Sequence, residues 1–158
     1  MTPVTPKQHI SSSEADIIEA KLVRMIRTGL AEAGIPTGNR RYGLIFIDAL
    51  KLPIGVSVRP YTWEVPVWRI TFGGREHHPW PCLVHPHELT LHLSEFGTHT
   101  GVELARLLRE PEWRWPLFEG ETAYPHYAWS KLARETYEVH RLKIQEREKR
   151  FRERNASL

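Results

Sequence analysis

The sequence predicts a two-layer α+β domain: an N-terminal helix, an antiparallel sheet of three or four strands, and C-terminal helices. Three observations predict it. Apolar residues recur at helical spacing from Ile18 to Ala33, short β-branched apolar runs follow between residues 42 and 72, and a second helical stripe begins near residue 128. At 158 residues the chain is most simply one domain, and 41% hydrophobic residues are enough to build a core.

Residues 1–12 hold two prolines and a serine run, which predicts a loose lead-in. The helix is expected from residue 13, because Ser13 and Asp16 have the spacing of a capping box. Ile18, Leu22, Met25, Ile26, Leu30 and Ala33 form its apolar face, and Gly34 and Pro36 stop it. "YGLIFIDAL" and "IGVSV" read as strands. "WEVPVWRITF" is a third, with Pro66 demoting its first half to an edge or a bulge. Gly73-Gly74 predicts a turn.

Pro79, Pro81 and Pro86 fall within eight residues, which argues against a paired central strand there. "ELTLHLSEF" alternates imperfectly and is a short-strand candidate; "GVELARLLRE" is a short helix. "PEWRWPLFEGETAYPH" is irregular and rich in tryptophan, suited to covering a core edge. In the last element Ala128, Leu132, Thr136 or Tyr137, Val139 and Leu142 keep a helical stripe, so the domain is expected to span residues 13–142. Residues 143–158 form a charged helical extension, with six basic and three acidic residues between Lys143 and Arg154. That run reads either as a solvated helix end with i,i+4 pairs or as an arm that docks on nucleic acid or another partner.

Composition narrows the function classes. The lone cysteine, Cys82, cannot close an internal disulfide, and the start "MTPVTPKQHISSSEAD" has no apolar region of a signal peptide. No apolar run approaches 18 residues, so no membrane partner is expected, and a cytoplasmic location fits. The net charge of +3 is modest and concentrates at the C-terminus, so any nucleic-acid contact is expected there and not over the whole domain.

The stretch "HHPWPCLVHPHELTLHLSEFGTH", residues 77–99, holds six of the nine histidines together with Cys82. Three chemistries are open. His85 and His87 on an extended segment would share one face and could hold a metal, with Glu88 as a base for a metal-dependent hydrolase or nuclease. Cys82 could be a nucleophile, because flanking prolines present it and nearby imidazolium groups favour a thiolate. The segment could also be a polar surface loop around a buried, inert cysteine.

"WPCLVHP" resembles the segment around the active cysteine of bacterial E2-like, ubiquitin-conjugating-enzyme-like proteins. The N-terminal helix, the strand pair "YGLIFIDAL…VSVRP", the histidines before the cysteine and "PEWRWP…YPH" after it occur in the same order. The resemblance implies a helix followed by an antiparallel meander and C-terminal helices. It implies that Cys82 accepts a ubiquitin-like protein as a thioester and passes it to an amine, with His85 or His87 as base or orienting group and His78 a further choice. The partners would be an activating enzyme and a ubiquitin-like or target protein, in a setting such as antiphage defence, with no cofactor and no metal. Trp113 and Trp115 are the candidate partner-binding residues, because they lie in an irregular segment where large aromatics anchor interfaces. The competing class is a non-enzymatic binding or assembly protein, as of a mobile element or phage, whose contacts come from that tryptophan segment and the basic C-terminal helix.

Overall fold

The computed structural model describes residues 11–77, 79–109 and 127–156, with His85 described in its backbone alone. Among them the order is α1 (Ser12–Glu32), β1 (Arg40–Arg41), β2 (Leu44–Ile47), β3 (Ile54–Pro60), β4 (Val67–His77), β5 (Pro81–His92), a 3₁₀ turn (Leu93–Glu95), α2 (Thr98–Arg109), β6 (Tyr127–Trp129) and α3 (Lys131–Ala156). The α+β class holds. The sheet is larger than expected: among the described residues it has six strands, in the order β1 to β6, instead of three or four. It is an antiparallel meander up to β5; β6 then adds in parallel to β5 at Glu88–Thr90.

The N-cap of α1 lies two residues before the expected capping box. Ser11 is the N-cap, and its hydroxyl accepts from Glu14 N at 3.2 Å. The C-terminus ends as predicted. Gly34 takes φ +85°, and Ile35 N donates back to Leu30 O at 2.8 Å, so the last carbonyls stay satisfied. Tyr42 and Gly43, both at positive φ, make the tight turn between β1 and β2.

Two expectations fail together at the β4–β5 hairpin. Gly73-Gly74 is not a turn; it lies inside β4, an eleven-residue strand. The proline-rich segment is not a loop; it is β5, a twelve-residue strand paired with β4. Pro81 is the first residue of β5. Pro86 sits in a β-bulge: Phe72 pairs with His87 and Gly74 with Val84, so Gly73 alone faces His85 and Pro86. Strand start and bulge are the two sites where a missing N–H costs a sheet little.

Side chains on alternate positions divide the sheet into two faces. On one face Val56, Val58, Trp68, Ile70 and Phe72 pack with Leu22, Ile26 and Leu30 of α1 and Leu104 and Leu108 of α2. Val67 points to the other face, where Val65 and Ala133 form a small cluster with Trp129 and Tyr137. Tyr61 stands edge-on to Trp129, at 4.7 Å between centroids, and to Tyr137, at 5.4 Å. This aromatic group holds the start of α3 against the end of the sheet.

Arg75 is the buried charge of the second face. Nη2 donates to Asp48 Oδ1 at 2.6 Å, Nη1 to Ile54 O at 3.0 Å, and the guanidinium lies 3.9 Å from the Phe46 ring centre. A lysine has one compact charge and cannot make this fork and the stacking contact together. Arg75→Lys is therefore expected to lower stability by about 1–3 kcal/mol in urea denaturation. An unchanged midpoint would show that the fork contributes nothing.

Candidate functional site

Cys82 is the second residue of β5, beside the hairpin turn and directly opposite Glu76 of β4. The thiol is free and half-buried, and it belongs to neither apolar cluster. Trp80, two residues before it, is 60% exposed. Opposed residues in an antiparallel pair have Cβ atoms about 4.5–5.5 Å apart, which brings the Glu76 carboxylate within reach of the thiol.

His87, one of the histidines proposed as helpers, lies away from the thiol. His87 lies five residues further along β5, roughly 15 Å away at the usual strand rise. It is 4% exposed and stacks on Phe72 with 5.5 Å between ring centres. Cys82 and His87 thus do not form a nucleophile–base pair. His85 occupies the bulge between them. Trp113, Trp115 and His78 lie outside the described residues.

The remaining described histidines make structural contacts. His92 caps the 3₁₀ turn: Nδ1 accepts from Ser94 N at 3.1 Å, and His92 N donates to Glu95 Oε1 at 2.8 Å. His99 Nε2 lies 2.9 Å from Glu95 O, and His140 Nε2 lies 2.5 Å from Glu64 Oε2. Among the described residues no group of three or more His, Cys, Asp or Glu side chains could hold a metal ion.

α3 presents a different kind of surface. The expected apolar stripe is not the buried one. Leu132, Val139 and Leu142 are 40%, 54% and 56% exposed, whereas Ala133 and His140 are buried with Tyr137 and Ile144 half-buried. The packed face is thus 133, 137, 140 and 144, at i, i+4, i+7 and i+11. From Gln145 to Ala156 every residue is exposed. This half of the helix is supported by Glu146–Arg150 at 2.6 Å and Glu148–Arg152 at 3.6 Å. Both pairs run Glu to Arg over four residues, the favourable order.

Along the C-terminal part of α3, Lys143, Arg147, Arg150 and Arg154 also recur at i, i+4, i+7 and i+11, so they form one basic stripe. Leu132, Thr136 and Val139 continue the same stripe toward the sheet. The count of charges between residues 143 and 154 is visible in the sequence. Their alignment with the exposed apolar residues follows only once the packed face of α3 is known.

Glu76 is the neighbour of Cys82 that motif reading misses. Its place beside Cys82 depends on strand register across a hairpin, for which no local sequence signal exists. No helix among the described residues is long and apolar enough to cross a membrane. Comparison with family models, with curated proteins and with solved structures finds no match to this chain.

Proposed function

We propose that this chain is a binding protein that docks on nucleic acid through the exposed half of α3. One observation carries the reading: four cations in a single stripe on a helical segment whose every residue from Gln145 onward is exposed. A helical half with no packed face contributes little to the core, and its sequence is free to serve a partner. Lys143 and Arg147 make no ion pair among the described residues. A polyanion is the partner that such a stripe fits, and phosphate contacts of this kind give binding without sequence preference.

The test is fluorescence anisotropy with labelled duplex and single-stranded oligonucleotides at low salt. Wild type is compared with the combined variant Lys143→Gln, Arg147→Gln and Arg150→Gln. All three positions are exposed, so the fold is expected to persist. Binding lost in the variant with an unchanged circular dichroism spectrum supports the reading. Equal binding by both proteins, or none by either, rejects it.

A second reading rests on Cys82, the half-exposed thiol beside the hairpin turn. In this reading the chain is an E2-like acyl-transfer protein. The Cys82 thiolate attacks the carbonyl of a donor thioester and the donor thiolate leaves. An amine then displaces Cys82, with Glu76 as the base that the register supports. Intact mass of protein from the native host separates the two readings. An adduct on Cys82 that thiol removes, and that persists as an ester in Cys82→Ser, is the expected result of acyl transfer; an unmodified Cys82 removes this reading.

A further inference from the structure

A cleft of about 450 Å³ opens between the first turns of α1, the β1–β2 turn and the end of β3. Three arginines line it: Arg40, Arg59 and Arg69. Tyr61 and Trp63 supply aromatic wall. Asp16 and Glu19 of α1 supply carboxylates.

One of these cations is left without an ion pair among the described residues. Arg40 is paired with Glu19 at 2.8 Å. Arg59 and Arg69, by contrast, are directly opposite each other on β3 and β4. Like charges in that position destabilise a sheet unless something lies between them. Arg69 has Glu88 at 3.4 Å, which leaves its Nε buried without an acceptor. Arg59 makes no ion pair among the described residues. Gly43, at φ +75°, leaves room for it: a Cβ there would lie 2.9 Å from Arg59 Nη2.

We infer that this cleft binds a nucleoside phosphate. The phosphate oxygens lie between Arg59 and Arg69 and accept from both guanidinium groups. The base stacks on Trp63, which is 46% exposed beside the arginines. Asp16 accepts from a ribose hydroxyl or a base amino group, which accounts for a carboxylate in a site that otherwise favours anions. The cleft volume is of the size that small ligands occupy. This site uses none of the α3 stripe, so it stands or falls apart from the nucleic-acid reading.

Isothermal calorimetry tests it on the full chain, with adenosine diphosphate and inorganic pyrophosphate as probes. Adenosine diphosphate is expected to bind the wild type with a sub-millimolar Kd, and more tightly than pyrophosphate. Arg59→Gln is expected to weaken both probes by roughly tenfold, the loss of one charge-assisted pair. Trp63→Ala is expected to weaken the nucleotide alone, by roughly five- to tenfold. Arg59 is exposed and opposes a like charge, so the melting temperature of Arg59→Gln without ligand should equal or exceed that of wild type. The triple glutamine variant of α3 should bind the nucleotide as wild type does. No heat with adenosine diphosphate, nucleotide binding unchanged in Arg59→Gln, or equal binding of both probes with no effect of Trp63→Ala would each overturn the assignment.

Discussion

Gly29→Ala is expected to destabilise the protein by about 3 kcal/mol or more, a large share of a small domain's total stability. A Cβ added at Gly29 would lie 2.1 Å from Thr98 O and 2.7 Å from Gly101 Cα. One added at Gly101 would lie 2.2 Å from Ile26 O. α1 and α2 thus meet backbone to backbone, and neither contact is with a flexible side chain that could swing away. The only relief is to move the helices apart, which loosens Ile26, Leu30, Leu104 and Leu108, all fully buried. Gly74→Ala is the matched control, because nothing lies within 4 Å of its added Cβ. Urea denaturation of the three proteins checks the prediction. A Gly29→Ala midpoint near that of wild type would mean that the two helices do not cross at these glycines.

The same pair shows how far the sequence could be read. Ile18, Leu22, Ile26 and Leu30 give α1 its period, and Gly34 gives its end, because helix periodicity and caps are local properties. Gly29 and Gly101 carry no local signal. Each is a helical glycine, and its purpose lies in a residue about seventy positions away. The sheet repeats the lesson. Val56, Val58, Ile70 and Phe72 announce strands, but the glycine pair 73–74 and the prolines 81 and 86 read locally as breaks. They are tolerated because a bulge and a strand start absorb them, and both devices are defined by the partner strand.

The site divides along the same line. Cys82 stands out by composition, and the structure puts it at a partly exposed place beside a hairpin turn. Of the helpers assigned to it by proximity in sequence, His87 is set apart for a geometric reason: strand rise carries it away from the thiol as surely as a turn would have brought it near. Glu76, six residues before Cys82, becomes its neighbour by folding back. Likewise Arg59 and Arg69 face each other only through the β3–β4 register. In α3 the apolar residues at 132, 139 and 142 imitate a core face, because the true packed face is built from Ala133, Tyr137, His140 and Ile144. Before Ile144, small, aromatic and hydrogen-bonded polar side chains serve there, and a hydrophobicity pattern gives them little weight.

That misassigned face leads to the second large effect. If α3 holds phosphates through Lys143, Arg147, Arg150 and Arg154, binding must release counterions in proportion to the contacts made. Four contacts to duplex DNA predict a slope of log K against log salt of about −3.6, or a loss on the order of 10²-fold between 50 and 200 mM. The combined glutamine variant retains one member of the stripe, so its slope should fall to about −1 and its affinity should be weak already at the lowest salt. Arg150 must leave Glu146 to reach a phosphate, so the wild-type slope is expected at or below the four-contact value. The apolar continuation of the stripe gives a separate signature. Val139→Ser should weaken binding with the slope unchanged, since it removes contact area but no charge. Reading affinity and slope together therefore distinguishes a helix that lies along nucleic acid from one that is merely attracted to it. A wild-type slope near zero would show that the cations of α3 are solvated and that the helix serves some other contact.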